Sequence, residues 1–261
     1  MSSDLQHGGA AIVGDRRRQE DAWGAEILPP DEHGVTLLAL VADGMGGHPA
    51  GDQASRITSD AFLAACAAGA GPPGERLREA LDRANEEVRQ AIEANPRLRS
   101  MGTTLVAALF SERRCDWISV GDSFLFHYRE GTIRRVNPLH THGAELDEQA
   151  RRGEISWAEA RMDYDRAMIT SVIMGGRIEK VAGGTLELEP GDLVLLATDG
   201  VETLGEDGIA AVCDASRGKD AGAIASAILG RIEEAPADYQ DNATVVVVRQ
   251  PAGSDGETTA D

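Results

Sequence analysis

Three aspartates stand where apolar segments end or begin, and their positions favour a shared site for divalent cations. Asp43 follows the apolar run V-T-L-L-A-L-V-A, Asp199 follows L-V-L-L-A-T, and both precede a glycine. Asp241 comes just before the valine-rich segment A-T-V-V-V-V. A single Asp-Gly pair after a strand is usually a turn. Three carboxylates on strands that share one core could instead supply the oxygen ligands that hard divalent cations require.

A basic run followed by two acids comes before the first of these segments. Residues 14–21 read G-D-R-R-R-Q-E-D. One interpretation is a surface loop with local ion pairs, which contribute little stability. The alternative is that an arginine binds a phosphate group while Glu20 and Asp21 face a metal ion, because a guanidinium offers an anion a fork of donors.

Hydrophobic periodicity predicts alternating strands and helices over most of the chain. We expect strands near residues 9–13, 23–28, 35–42, 184–188, 192–197 and 243–249. Apolar residues at helical spacing predict helices over residues 50–69, 75–94, 206–215 and 221–234. Residues 103–136 contain four short β-rich runs separated by turn residues, which predict a meander of antiparallel strands. Asp122 lies inside this region in V-G-D-S, a context that is by itself more typical of a turn.

Two segments interrupt this alternation. Residues 137–176 are charged and irregular, and we expect two short helices there, in an insertion that covers one edge of a site. Residues 251–261 are polar and are predicted to form a disordered tail. Because no internal repeat or linker is visible, we predict a single domain over residues 1–250.

Composition argues against several classes of protein. The chain has 261 residues and a formal net charge of −19, which argues against binding to nucleic acid or to anionic membranes. Its first residues lack an apolar signal segment, and no apolar run approaches the ~20 residues that span a bilayer. Cys66, Cys115 and Cys213 lack C-x-x-C spacing, which argues against a disulfide framework or a zinc site. These features predict a soluble, cytoplasmic protein.

Six short motifs follow one another along nearly the whole chain. They are R-x-x-Q-E-D at residues 16–21, D-G-M-G-G-H at 43–48, M-G-T-T-L at 101–105, V-G-D-S at 120–123, T-D-G-V at 198–201 and D-N-A-T at 241–244. In these motifs and their order the chain resembles the metal-dependent Ser/Thr protein phosphatases (PPM, type 2C) in their short bacterial form. The segment R-R-G-E-I at residues 151–155 is also similar to the bacterial pattern.

The resemblance implies an α+β fold, a four-layer αββα sandwich of two antiparallel sheets flanked by helices, with a flap insertion at about residues 137–176. It also implies a centre of two Mn²⁺ or Mg²⁺ ions, with a third ion in many bacterial members. By position, Asp43 would bridge the two ions and the carbonyl of Gly44 would bind one of them. Asp199 and Asp241 would complete the second. The acids expected around these ligands are Asp21, with Glu20 as a further candidate, and Asp122 at the third ion.

The implied activity is hydrolysis of phosphoserine and phosphothreonine in proteins by a water that two metal ions activate. Arg16 matches the arginine that binds phosphate. Since arginine cannot ligate a cation, we expect its removal to leave metal binding unchanged. The implied partners are phosphoprotein substrates and a cognate Ser/Thr kinase, with no nucleic acid or membrane, and the implied state is a monomer. Two alternatives stay open, namely a catalytically weak sensor or scaffold, and a hydrolase of small phosphate esters.

The chain departs from the family pattern at two positions that could affect chemistry. Phe124 stands where the family usually has arginine, and Met45 stands where eukaryotic members have histidine. His48 is a nearby candidate for a general acid, although a G-G-H turn could be purely structural. We expect His140 and His142, in the covering segment, to be solvated.

Overall fold

The computed structural model describes residues 5–45 and 50–251. His48 and the predicted tail beyond residue 251 therefore lie outside the described residues. In chain order the strands are β1 (Gln6–Ile12), β2 (Ala22–Ile27), β3 (Leu37–Ala42), β4 (Gly44–Met45), β5 (Gly102–Thr103), β6 (Leu105–Ser111), β7 (Arg114–Val120), β8 (Phe124–Arg129), β9 (Thr132–Arg135), β10 (Ala182–Glu187), β11 (Leu193–Ala197) and β12 (Ala243–Arg249). The helices are α1 (Gly51–Ala68), α2 (Pro73–Ala94), α3 (His142–Arg151), α4 (Trp157–Met162), α5 (Gly205–Ala215) and α6 (Ala221–Glu234).

Two antiparallel sheets form the centre of this part of the chain. The first has the strand order β1-β12-β11-β8-β9, the second has the order β10-β7-β6-β3-β2, and β4 pairs with β5 separately. One apolar cluster lies between the sheets, a second lies between the β3 sheet and helices α1 and α2, and a third lies between the β12 sheet and helices α5 and α6. The four-layer αββα sandwich implied by the resemblance is confirmed.

Strand β3 shows why the sequence before Asp43 is continuously apolar. All six of its residues are buried, because the strand is covered on both faces. Leu38 and Leu40 pack in the cluster under α1 and α2, whereas Ala39 and Val41 pack in the cluster between the sheets. The strand therefore delivers Asp43 from the interior of the sandwich to its end.

The predicted meander over residues 103–136 is wrong. Strands β6 and β7 form a hairpin in one sheet, and β8 and β9 form a hairpin in the other. The chain crosses between the sheets at Gly121, which has a φ of +96° and packs against Thr104. Local periodicity identifies strands but not their partners, so the pattern could not separate a meander from two hairpins in facing sheets.

The segment over residues 137–176 contains the two expected short helices, α3 and α4. Helix α4 starts with a capping box, in which Ser156 and Glu159 satisfy each other's backbone N–H groups. Isolated bridges from Thr103 to Ile173 and from Thr141 to Ile169 hold this segment together and to the end of the sandwich. Within residues 5–45 and 50–251, none of the helices has the length and apolar composition to cross a bilayer.

Replacing Gly121 with alanine should destabilise the protein, because the new Cβ would lie 2.6 Å from Cγ2 of Thr104 in left-handed backbone. Backbone strain and overpacking each cost about 1–3 kcal/mol, so we expect urea unfolding to show a loss of about 2–5 kcal/mol. Gly131→Ala is the control, since Gly131 also has a positive φ but its new Cβ would meet nothing closer than 3.6 Å. Equal losses in the two variants would contradict a packing role for the crossing.

Candidate metal centre

Carboxylates from both sheets meet in one cavity at the end of the sandwich. Asp43 follows β3 and Asp122 lies between β7 and β8, whereas Asp199 follows β11 and Asp241 precedes β12. The cavity has a volume of about 220 Å³. Its walls are Arg16, Glu20, Asp43, Gly44, Met45, Asp122, Ile169, Asp199, Asp241 and Asn242. Arg16 and all of the predicted metal ligands except Asp21 therefore line one cavity.

The backbone of Asp43 is fixed by two threonines. Its N–H donates to Oγ1 of Thr104 at 3.1 Å, and its carbonyl oxygen accepts from the Thr104 N–H at 2.9 Å and from the Thr103 hydroxyl at 2.8 Å. The Thr104 hydroxyl is also 2.7 Å from that of Ser123. The M-G-T-T-L and V-G-D-S motifs thus join to orient the bridging ligand that the sequence predicts.

Gly44 lies where no side chain fits. A Cβ at this position would be 2.2 Å from the carbonyl oxygen of Gly51 and 2.5 Å from that of Glu20. The Gly44 N–H donates to the Glu20 carbonyl at 3.2 Å. Close approach of these backbones brings the start of α1 and the arginine-containing loop to the edge of the cavity, which requires glycine at this position.

Asn242 is a structural residue of the centre that sequence reasoning missed. Its Oδ1 accepts from the Glu20 N–H at 2.8 Å, and its Nδ2 donates to the carbonyls of Val13 and Arg18 at 2.7 and 3.0 Å. One side chain before β12 therefore holds both ends of the loop that carries Arg16. The signal in the sequence that could have identified Asn242 was its place in the D-N-A-T motif.

Asp21 lies behind the cavity and not on its wall. Its Oδ2 accepts from the hydroxyls of Thr198 at 2.8 Å and Thr244 at 2.7 Å. Its Oδ1 is buried and has no hydrogen-bond partner among the described residues. Burial raises the pKa of Asp21 to about 7, while the two threonine hydroxyls act in the opposite direction. An unpartnered buried carboxylate oxygen beside other acids is suited to a cation or a water that a cation holds.

Burial and mutual repulsion raise the pKa of the other acids as well. The pKa of Asp43 is well above its usual value, mainly because its carboxyl group is desolvated and then because of the charges of Asp21, Asp199 and Asp122. Burial, with the charge of Asp199, raises the pKa of Asp122 to about 7. The pKa of Asp199 is also raised by burial, followed by the charge of Asp241. Without a positive charge among them these acids cannot all ionise at neutral pH.

Arg16 supplies one positive charge directly. Its Nη2 donates to Oδ2 of Asp241 at 2.5 Å, and this hydrogen bond is the main reason that the pKa of Arg16 is raised. The side chains of Arg16 and Asp241 are 42% and 34% exposed, so the pair lies at the mouth of the cavity. The predicted phosphate-binding residue is thus in contact with a predicted metal ligand.

The side chains around the cavity fit divalent cations that prefer oxygen. The acids are all carboxylates, the ligand type that Mn²⁺ and Mg²⁺ select. No three His, Cys, Asp or Glu side chains in the described ranges are already arranged to hold an ion. The carboxyl groups of Asp43 and Asp199 influence each other's pKa at close range, and Asp241 pairs with Arg16. Binding of cations would therefore replace these two contacts.

The two histidines of the covering segment, His140 and His142, differ in their exposure to solvent. His140 is buried, and its Nδ1 accepts from the Gly121 N–H at 3.1 Å, so the prediction that it is solvated is wrong. Burial lowers the pKa of this imidazole. Its neutral ring fixes the crossing beside Asp122. His142 is half-buried, with Nε2 3.7 Å from the Asp163 carboxylate.

Phe124 stands outside the carboxylate cavity. Its ring stacks on that of Phe126 with centroids 5.1 Å apart, and both pack against α5 and α6. The two rings share a neighbouring cavity with Arg135 and Glu202. The position that is usually arginine in the family is therefore part of the apolar core here, and a cation from β9 lies nearby.

Comparison with known proteins identifies relatives over most of the chain. A family model described as protein phosphatase 2C matches residues 9–219. Among curated proteins, the Ser/Thr protein phosphatase PstP of Mycobacterium tuberculosis is 35% identical over 172 residues, covering 64% of this chain and 32% of PstP. The Ser/Thr phosphatase stp of Listeria monocytogenes is 34% identical over 174 residues, covering 64% of this chain and 67% of stp. The match thus spans about a third of the length of PstP.

Solved structures extend the similarity to the whole sandwich. The crystal structure of the M. tuberculosis phosphatase PstP/Ppp superposes with a TM-score of 0.79 at 27% identity, covering 95% of this chain and 99% of that one. The catalytic domain of PstP in complex with two manganese ions gives a TM-score of 0.76 at 26% identity, covering 94% and 97%.

Because the pKa of Asp122 is raised, the free energy of unfolding of the metal-free protein should depend on pH. In the unfolded chain Asp122 ionises near its usual pKa, whereas in the folded state it keeps its proton until about pH 7. The folded state therefore binds more protons across this range, and its stability falls as pH rises. In EDTA, Asp122→Asn should become more stable relative to wild type as the pH is raised from 5 to 7.5, measured by urea unfolding.

Asp207→Asn, which removes an exposed carboxylate away from the cavity, is the control for loss of one negative charge. A difference between wild type and Asp122→Asn that stays constant with pH, or changes in the opposite direction, would contradict a raised pKa of Asp122.

Proposed function

The chain belongs to the protein phosphatase 2C family, and from this premise we propose that it hydrolyses phosphoserine and phosphothreonine in proteins with Mn²⁺ or Mg²⁺ as cofactor. The observation that carries the proposal is a cavity in which carboxylates from both sheets lie beside an exposed arginine. The manganese ions of the PstP catalytic domain support the choice of metal.

We propose that Asp43 and the Gly44 carbonyl, together with Asp199 and Asp241, hold two ions. Asp21 and Glu20 would support them through waters, and Asp122 would hold a third, weaker ion. When bound, such ions activate a water for attack on phosphorus and neutralise charge on the phosphoryl group. Because the ligands come from both sheets, their spacing is set by the packed core between the sheets.

The remaining wall residues have separate roles in this proposal. The Arg16 fork faces the mouth of the cavity, where it can bind two oxygens of a phosphoryl group. Ile169, from the segment over residues 137–176, and Met45 form the apolar part of the wall. They would limit the access of bulk water to the reacting groups and strengthen the electrostatic interactions inside.

We further propose that residues 1–250 form one phosphatase domain with a flap at about residues 137–176. In this proposal the protein is a cytoplasmic monomer that reverses the action of a Ser/Thr kinase. The cysteines support a reducing compartment and a mechanism without a thiol nucleophile, since all are buried and unpaired. Burial raises the pKa of Cys66 to about 11 and that of Cys213 to about 12.

Hydrolysis assays in Mn²⁺ and in EDTA test the proposal. A phosphothreonine peptide and p-nitrophenyl phosphate should be hydrolysed only with metal. Asp43→Asn should reduce turnover by about 100-fold or more, because even outer-shell partners of a metal ligand contribute about 10–100-fold. In EDTA the variant should melt no lower than wild type, since it removes one carboxylate from a crowded group.

Three other outcomes of these assays would contradict the proposal or favour one of the alternative functions. Normal turnover by Asp43→Asn would exclude this residue as the bridging ligand. Hydrolysis of a sugar phosphate but not of the peptide would identify a hydrolase of small esters. Binding of Mn²⁺ without turnover of any of these substrates would identify a sensor or scaffold.

A further inference from the structure

Arg16 contacts Oδ2 of Asp241, a carboxylate oxygen at the mouth of the cavity that we have proposed as a metal ligand. Oδ1 of Asp241 accepts from the Asn242 N–H at 2.7 Å, and Oδ2 accepts from Arg16 at 2.5 Å. A guanidinium that occupies Oδ2 repels a cation approaching the same oxygen. Arg16 and a divalent cation are therefore competitors for Asp241.

Only the side chain of Arg16 has to move for this competition to be resolved. Asn242 holds the backbone on both sides of it, at the carbonyls of Val13 and Arg18. The Asp15 N–H donates to the Gln240 carbonyl at 2.8 Å, and the Gln240 N–H donates to the Asp15 carboxylate at 2.8 Å. The loop is thus fixed, and the guanidinium at its tip can turn from Asp241 into the cavity that it already lines.

Tyr239 contacts the guanidinium of Arg16 while this group is paired with Asp241. Cζ of Arg16 lies 5.8 Å from the centroid of the Tyr239 ring, within the range of a cation–π contact. Tyr239 is 55% exposed, so the guanidinium beside it lies at the surface, at the mouth of the cavity. Tyr239 and Asp241 are two positions apart on the segment before β12, and they contact the same guanidinium.

We propose that Arg16 serves as an exchangeable counter-ion of Asp241, with Tyr239 as its positioning residue, so that metal binding and phosphate binding assist each other. A cation that takes Asp241 releases Arg16, and the released guanidinium binds the phosphoryl group. The inference rests on the proposed function, because it takes Asp241 as a metal ligand. It reverses the expectation from sequence that loss of Arg16 leaves metal binding unchanged.

Calorimetric titration with Mn²⁺ tests the exchange without any need for turnover. Removing Arg16 should tighten the binding of Mn²⁺ by about two- to fivefold, the factor that corresponds to a half-exposed ion pair. Arg17→Ala is the matched control, since it removes the same charge from the next position, where no hydrogen bond or ion pair with Asp241 is found among the described residues. Arg17→Ala should leave the affinity within experimental error of wild type.

Inorganic phosphate provides the second measurement. In wild type, phosphate should lower the dissociation constant of Mn²⁺ by a larger factor than in Arg16→Ala, because linkage between two ligands is reciprocal. Any direct contact between phosphate and metal would be the same in both proteins and would cancel in this comparison. Tyr239→Ala should tighten Mn²⁺ binding in the wild-type background and have no effect in the Arg16→Ala background, whereas Tyr239→Phe should behave as wild type.

Each outcome decides the proposal. If Arg16→Ala binds Mn²⁺ no more tightly than Arg17→Ala, or if phosphate couples to Mn²⁺ equally in both, Arg16 is not exchanged. An effect of Tyr239→Ala that persists without Arg16 would remove the positioning role. Failure of wild type to bind Mn²⁺ would overturn the proposed function itself, which is a different result from binding that is insensitive to Arg16.

Discussion

Repulsion between carboxylates at the end of the sandwich is the constraint on which the rest of the structure depends. Loss of water around Asp43, Asp199 and Asp122, followed by the charges of neighbouring acids, raises the pKa of all three, which by itself opposes folding. Three apolar clusters on the faces of the sheets hold the strand ends in place against this repulsion. The hydroxyls of Thr198 and Thr244 reduce the cost at Asp21 by donating to one of its oxygens. A centre built in this way favours the approach of positive charge, because a cation relieves the repulsion between the acids.

Much of the fold could be predicted from sequence because the elements have clear periods and ends. The continuous apolar run before Asp43 reflects a strand covered on both faces, and α2 begins at a proline and follows a regular apolar stripe. The pairing of strands could not be predicted. Residues 103–136 carry the same alternation whether they form one meander or two hairpins, and the difference lies in the turn at Gly121, whose close packing on Thr104 is a tertiary contact.

The candidate site also has a part that could be predicted from the sequence and a part that could not. The positions of Asp43, Asp199 and Asp241 beside apolar strands were sufficient to predict that they share one site, because a common core fixes where those strands end. It could not identify contacts made by side chains that reach across the fold. The burial of His140 under the crossing and the hydrogen bond from Arg16 to Asp241 are of this kind. The second of these matters for the chemistry, because it makes the proposed phosphate-binding group and a proposed metal ligand depend on each other.

The antiparallel pairing of β1 with β12 has a consequence for how the protein is made. Arg16 and Asp241 are 225 residues apart, and at about 5–20 residues per second their synthesis is separated by on the order of 10–45 s. Throughout that interval the nascent chain on the ribosome lacks the segment that supplies Asp241, Asn242 and the partner strand of β1. The centre can assemble only once this segment has emerged, so the proposed phosphatase cannot act on its surroundings while it is being translated. Topology therefore delays the assembly of the centre until the segment that ends in β12 has been made.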